Sequence, residues 1–374
     1  MSSTIVSTPA KAQRSKVPYR DWILLPLIAL TTIALIVGVS ELVARRIWSE
    51  QDTDSCYVAN GPTGGRFRPN CKSKIKAVEG PWVEDSYNSC GYRSLESCGP
   101  KPPGTIRIAL LGSSYSFGYG VPYQATFTTV SAEMLRRECR RPVEVQNLGV
   151  PNLPLENSYY RTGEALGLNP DLLLLSIGPW DVSNFVHFDP DATNGRQYAS
   201  HEAKKNVHDW RHVKSSRAFI MLQHYMFRDP ATFARVYLTY GDAADYLRTP
   251  FSPLWQQRFS NLEIMLRDMS EKAHAASVPI ALLVTPTEVQ AALVNTPPRA
   301  GVTPEAFVAE ITRIASKYGI AVIDPLPDFA GQRDPMDMFY IFDGHTGPRG
   351  QRVVAGTLNK AILSGKFPAF AGCN

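Results

Sequence analysis

Four short stretches hold the residue types that chemistry requires. Ser113 and Ser114 follow Gly112 where an apolar run (Ile106, Ile108, Ala109, Leu110, Leu111) stops abruptly, and Gly118 and Gly120 come next in a turn. A short continuous apolar run ended by glycine reads as a buried parallel strand, which a crossover helix then follows. Open α/β sheets place their ligands beyond the carboxyl ends of such strands. A serine there presents its hydroxyl above the sheet, as a nucleophile must. Far along the chain, Asp343-Gly344-His345 precedes an apolar, helix-like segment at residues 353–363. A histidine beside a carboxylate supplies the base that activates a serine and the group that orients that base. Between these ends, residues 171–177 read as a buried strand running into Gly178-Pro179-Trp180-Asp181, and residues 143–145 lead into Asn147-Leu148-Gly149.

To bring such distant groups together the chain needs a scaffold with several strand ends on one edge. The pattern supplies it. Strands are expected at residues 106–111, 143–147, 172–177, 279–284 and 321–323. Helices are expected at 127–137, 157–166, 254–275, 304–317 and from near 350 onward. Alternation of this kind predicts a flavodoxin-like three-layer α/β/α sandwich with a mainly parallel five-stranded sheet. It spans residues 105–374 as one large domain, interrupted by a helical insertion at about 183–251.

The blocks and their order resemble the SGNH (GDSL-type) hydrolase superfamily over roughly residues 105–365. Gly112-Ser113-Ser114 is similar to its nucleophile block, with Ser113 in place of the usual Asp. Gly149 matches the second block, whose glycine donates a backbone N–H to the oxyanion. Gly178-Pro179-Trp180-Asp181 matches the third, except that Trp180 stands where the family has an oxyanion-binding Asn. Asp343-Gly344-His345 matches the last, with one intervening residue rather than two. The resemblance implies a catalytic set of Ser114, His345 and Asp343, with Gly149, Trp180 and Asn152 around the oxyanion and substrate. Asn184 is a further nearby amide. Losing one oxyanion donor typically costs about a hundred- to a thousandfold in rate, so Trp180 bears directly on activity. The run Asn88-Ser-Cys-Gly-Tyr-Arg93 resembles a segment found upstream of the first block in membrane-anchored members.

Upstream of this domain the chain changes character. Residues 1–21 form a polar tail with Lys11, Arg14, Lys16 and Arg20, and residues 22–39 contain no charge. A spanning helix needs about 17–25 apolar residues, so residues 22–44 read as a transmembrane anchor. A cleaved signal peptide is the competing reading. No A-x-A-like cleavage site is evident, and the apolar region exceeds the usual 7–15 residues or so. The basic tail places the N-terminus in the cytoplasm and the domain on the periplasmic, extracytoplasmic side, a bias that Arg45 and Arg46 weaken.

Residues 45–104 look like an irregular, cysteine-containing linker. All six cysteines follow the apolar segment, which suits an oxidising compartment. Their connectivity is open; proximity favours Cys56–Cys71 and Cys90–Cys98, leaving Cys139 with Cys373.

The insertion holds His187, His201, His208, His212 and His224, five of the seven histidines, together with Tyr198, Trp210, Tyr225, Tyr237, Tyr240 and Tyr246. We read it as a lid whose aromatics stack on sugar faces. His208 and His212 share a helix face, yet no HExxH-like acid accompanies them, and no metal is expected. The net charge of +5 is scattered rather than arrayed, which argues against nucleic acid as a partner. With no P-loop and no dinucleotide fingerprint, no cofactor is expected. By resemblance the chain is a membrane-anchored, envelope-facing serine esterase acting on O-acyl esters of carbohydrate, or on lipid esters near the membrane. The alternatives are an O-acetyltransferase using the same triad and a catalytically weak glycan- or protein-binding module of an envelope assembly.

Overall fold

The computed structural model describes residues 18–51, 53–61, 64–188, 190 and 216–373. Helix α1 (Tyr19–Ile47) carries Pro26 near its start. It is long and apolar enough to cross a membrane, with a mean hydropathy of 2.5 over its best window and none of that window buried in the protein. Two antiparallel hairpins follow, β1 (Tyr57–Gly61) with β2 (Gly64–Phe67) and β3 (Lys72–Lys76) with β4 (Trp82–Ser86). The sequence reading took this region as irregular. The clue was the Lys-Ser-Lys-Ile-Lys alternation of β3, which exposes Lys72 and Lys74 and buries Ser73 and Ile75.

The expected parallel sheet is present. It comprises β5 (Ile106–Leu111), β6 (Val143–Asn147), β7 (Leu172–Ile177), β8 (Ile280–Val284) and β9 (Ala321–Ile323). The order is β6-β5-β7-β8-β9, with every pairing parallel. Strands buried on both faces read as near-continuous apolar runs, and β5, β7 and β8 are buried throughout, with Arg107 of β5 paired to Glu144 and Ser176 the one polar residue of β7. Their alternate side chains feed two cores. Ile108, Leu110, Leu172 and Leu174 face one; Ala109, Leu111, Leu173 and Leu175 face the other.

Helices α2 (Ser114–Phe117), α3 (Phe127–Cys139), α4 (Leu155–Tyr160), α5 (Thr162–Gly167) and α6 (Pro179–Ser183) fill the first crossovers. The expected single helix at 157–166 is instead two, broken at Arg161, whose side chain reaches back to the Leu148 carbonyl. The described part of the insertion is α7 (Arg217–Met226) and α8 (Pro230–Tyr237); the long α9 (Pro253–Ala275) follows. Then come α10 (Glu288–Val294), α11 (Ala306–Ser316), α12 (Leu326–Ala330) and α13 (Pro348–Ile362). Phe127, Leu135, Val354 and Leu358 cover one face of the sheet; Leu262, Met265, Phe307 and Ile311 cover the other. Each such side chain contributes about 1.5–3 kcal/mol by leaving water, so the central sheet dominates stability. Disulfides join Cys56 to Cys71, Cys90 to Cys98 and Cys139 to Cys373.

Candidate active site

The chain turns sharply from β5 into α2. Gly112 makes the turn at φ +150°, where a Cβ would come within 2.6 Å of Ser116 Oγ and 2.7 Å of the Ser176 carbonyl. Only glycine fits, and the turn lifts Ser114 to the first position of α2. Gly149, just beyond β6, packs equally close: a Cβ there would meet Ser116 Oγ at 2.4 Å and the Phe117 amide at 2.9 Å. The Gly149 N–H donates to Asn147 Oδ1 at 3.0 Å, while Asn147 Nδ2 donates to the Ser116 carbonyl at 2.8 Å. One asparagine thus stitches the end of β6 to α2.

Asp343 and His345 arrive on a tight loop before α13. His345 Nε2 lies 2.7 Å from Ser114 Oγ, and His345 Nδ1 lies 2.5 Å from Asp343 Oδ1. Gly344, at φ +80°, turns the chain between the two. The Asp343 partner fixes the proton on Nδ1 and leaves Nε2 free to accept from the serine hydroxyl. Burial pushes the Asp343 carboxyl up, but His345 and its hydrogen bonds outweigh this and hold it below the usual carboxylate range. The rings of Tyr115 and Tyr119 flank the imidazole at 4.8 and 5.2 Å between centroids, and the Tyr115 hydroxyl donates to the Gly344 carbonyl at 2.9 Å.

Several supporting groups escaped the sequence reading. Glu79 Oε2 accepts from the amides of Phe342 (2.8 Å) and Asp343 (3.1 Å), while its other oxygen meets His224 Nδ1 on α7. Arg93, fully buried, pairs with Asp85 at 2.5 Å and donates to the carbonyls of Phe117, Gly118 and Val121. The Asn88–Arg93 run therefore braces the C-terminal end of α2. For Glu79 no sequence signal existed.

A cleft of about 420 Å³ opens beside Ser114 and His345. Trp180 stands at its rim, 66% exposed, with its carbonyl bound by Ser183 Oγ at 2.8 Å. Asn152, at φ +59°, also lines it. The insertion builds much of the wall through Gln223, Phe227, Phe233, Tyr237 and Tyr240. Tyr225 is exposed on α7, and Tyr246 is buried with its hydroxyl on Thr287. His187 is exposed; His201, His208, His212, Tyr198 and Trp210 lie outside the described residues. Among the described residues no three His, Cys, Asp or Glu side chains come together as metal ligands.

Glu288, at the start of α10, also faces this cleft and is only 5% exposed; its Oε1 has no hydrogen-bond partner. Burial pushes its carboxyl well above the ordinary range, and the nearby Glu79 and Asp343 charges add to the shift. Asp181, whose carboxylate accepts from the Gly178 amide at 2.7 Å, is likewise pushed up by burial.

Residues 110–353 match the model of the GDSL-like lipase/acylhydrolase family. The chain belongs to that family. The match spans well over half of the sequence, and it makes the protein an SGNH-type carboxylic ester hydrolase. Among solved structures, the chain is similar to a lipase/acylhydrolase from Enterococcus faecalis at 16% identity and a TM-score of 0.38, covering 69% of this chain and 95% of that one. It is also similar to the acetylxylan esterase Axe2 from Geobacillus stearothermophilus at 12% identity and a TM-score of 0.40, covering 69% and 94%. A third is the esterase EstA from Pseudoalteromonas, at 13% identity and a TM-score of 0.38, covering 68% and 96%. No match was found among curated proteins.

Proposed function

We propose that this hydrolase is a membrane-anchored, envelope-facing serine esterase that removes O-acyl groups, from acylated carbohydrate in particular, through Ser114, His345 and Asp343. The carrying observation is the unbroken relay Asp343–His345–Ser114 opening onto an aromatic-walled cleft. Ser114 Oγ attacks the ester carbonyl as His345 Nε2 takes its proton, and Asp343 steadies the imidazolium. The carbonyl electrons move onto oxygen, then return as the alcohol leaves with the proton from His345. Water, deprotonated by His345, attacks the acyl-serine and releases the carboxylic acid and free Ser114.

The amide of Ser114, at the first position of a helix, has no intrahelical acceptor by position and is the principal oxyanion donor. The Gly149 amide serves only as a shared donor, since Asn147 already engages it. Asn152 lines the cleft as the side-chain amide in reach of substrate. Trp180 at the rim leaves room for an acyl group, and with Tyr240 it offers ring faces on which a sugar can stack. That opening argues for turnover over a pure binding module.

The test is hydrolysis of p-nitrophenyl acetate and longer esters by the full chain in detergent, beside Ser114→Ala. We expect activity that vanishes in the variant. Equal rates in both folded proteins would sink the triad. Turnover appearing only when a sugar acceptor is added would assign the transferase chemistry instead.

A further inference from the structure

Neither the fold nor the proposed relay uses Glu288. It opens α10, and the start of that helix is locked by its own side chains. The Thr287 amide donates to Gln290 Oε1 (2.9 Å) and the Gln290 amide to Thr287 Oγ1 (3.4 Å). Thr287 Oγ1 also lies 2.8 Å from the Tyr246 hydroxyl. The backbone that carries Glu288 is therefore fixed before any ligand arrives.

The side chain is only 5% exposed, it lines the cleft with Ser114 and His345, and its Oε1 meets no hydrogen-bond partner. Buried polar groups are nearly always paired, because an unpaired one is costly. A leucine would fill the same place without that cost. The tyrosine hydroxyls of the cleft are engaged elsewhere: Tyr115 donates to the Gly344 carbonyl (2.9 Å), Tyr237 donates to the Ala243 carbonyl (3.3 Å), and Tyr246 meets Thr287. Among the described residues that line the cleft none is a lysine or arginine. Burial and the charges of Glu79 and Asp343 favour the uncharged carboxyl. That form offers one O–H donor together with acceptor capacity. An alcohol hydroxyl offers the same two, so the groups fit reciprocally. A hydrocarbon chain meets neither.

The alcohol portion of an ester takes its proton from His345 as it leaves, so it lies on the His345 side of Ser114. Glu288 stands on that side, near enough to Asp343 for their charges to interact. The geometry points to Glu288 as a specificity-determining residue whose carboxyl exchanges hydrogen bonds with a free hydroxyl of the sugar being deacylated. This rests on the esterase reading above and narrows its substrate to esters whose alcohol portion carries further hydroxyls.

The test compares two acetate esters on the full chain in detergent: methyl glucoside acetylated on its primary hydroxyl, and cyclohexylmethyl acetate, its all-carbon counterpart. The ratio of their kcat/KM values is the readout. In Glu288→Leu the preference for the sugar ester is expected to fall about tenfold or more, mainly through a raised KM. Glu288→Gln keeps a donor and an acceptor and should retain most of the preference. An unchanged ratio in Glu288→Leu overturns the inference. Equal losses on both esters also overturn it, being the mark of a structural role, as does a Gln variant as impaired as the Leu one. Glu288→Met repeats the comparison should Glu288→Leu fail to fold, and a native chain that prefers the all-carbon ester overturns the inference with no variant. A native chain inert on both esters counts against the esterase reading. Calorimetric binding of the sugar ester, native against Glu288→Leu, then decides the role of Glu288: equal affinities, or no binding by the native chain, overturn it.

Discussion

The two halves of the proposed catalytic relay are held by different means. Ser114 sits at the end of a buried strand, positioned by the sheet, by two close-packed glycines and by Arg93 from below. Asp343 and His345 ride on a loop whose bracing comes from far away in sequence: Glu79 on two of its amides and Tyr115 on the Gly344 carbonyl. The nucleophile is placed by the core, so errors there appear as lost stability. The base is placed by individual hydrogen bonds, so errors there appear as lost rate.

Mutations can separate these two modes. The largest effect is expected for Arg93→Ala, which strands the buried Asp85 and the carbonyls of Phe117, Gly118 and Val121. Removing one partner of a buried pair costs about 3–5 kcal/mol. Urea unfolding would read it, and a loss below about 1 kcal/mol would contradict the core-placed view. Leu174→Ala, in the middle of the sheet, should cost about 2–5 kcal/mol while kcat of the folded protein stays close to normal.

Glu79→Ala should invert that pattern. We expect kcat to fall about ten- to a hundredfold, as a misplaced base requires, with KM nearly unchanged and little movement in the melting temperature. A large stability loss with normal kcat would refute the loop's separate bracing.

Glu288 gives a smaller, pH-dependent signature. Its folded pKa is raised above the ordinary 4.5, so between those values the native state holds a proton that the unfolded chain has released. Stability is therefore greatest below the unfolded value and declines as pH rises toward the folded one. Glu288→Gln should flatten that decline in unfolding measured at pH 5 and pH 8, with a greater gain at pH 8. The smallest effect is expected at the rim, where Trp180→Ala should raise KM for a bulky ester a few-fold and leave kcat on p-nitrophenyl acetate unchanged.

The same contrast explains what the residue order revealed. Strands β5 and β7 are legible to the residue because burial writes itself as nearly unbroken apolar runs stopped by small residues; β6, with Glu144 and Gln146, and the partly buried β9 are legible from their place in the strand–helix alternation. The Ser114 and Asp343–His345 blocks stood out because their neighbours are turn-formers. Glu79, Asp85 and the role of Arg93 stayed hidden. Each is a single charged residue in a segment without sustained periodicity: Glu79 and Arg93 bind backbone groups 263 and 24 residues away, and Asp85 is told from any surface acid only by its buried pairing with Arg93. The hairpins were missed for a related reason, since β1 and β2 bury few apolar side chains and β3 shows only Ser73 and Ile75 to the core.

The bond between Cys139 and Cys373 spans 234 residues. It ties the end of α3 to the end of the chain, so most of the α/β domain, with the insertion and Asp343–His345, lies inside one covalent ring. A protease that cuts once anywhere in that ring releases nothing: both pieces stay linked, and the nick shows on a gel only after reduction. Ser114 lies outside the ring and its hydrogen-bond partner His345 inside, so this bond keeps the two in one molecule after a cut that would otherwise separate them.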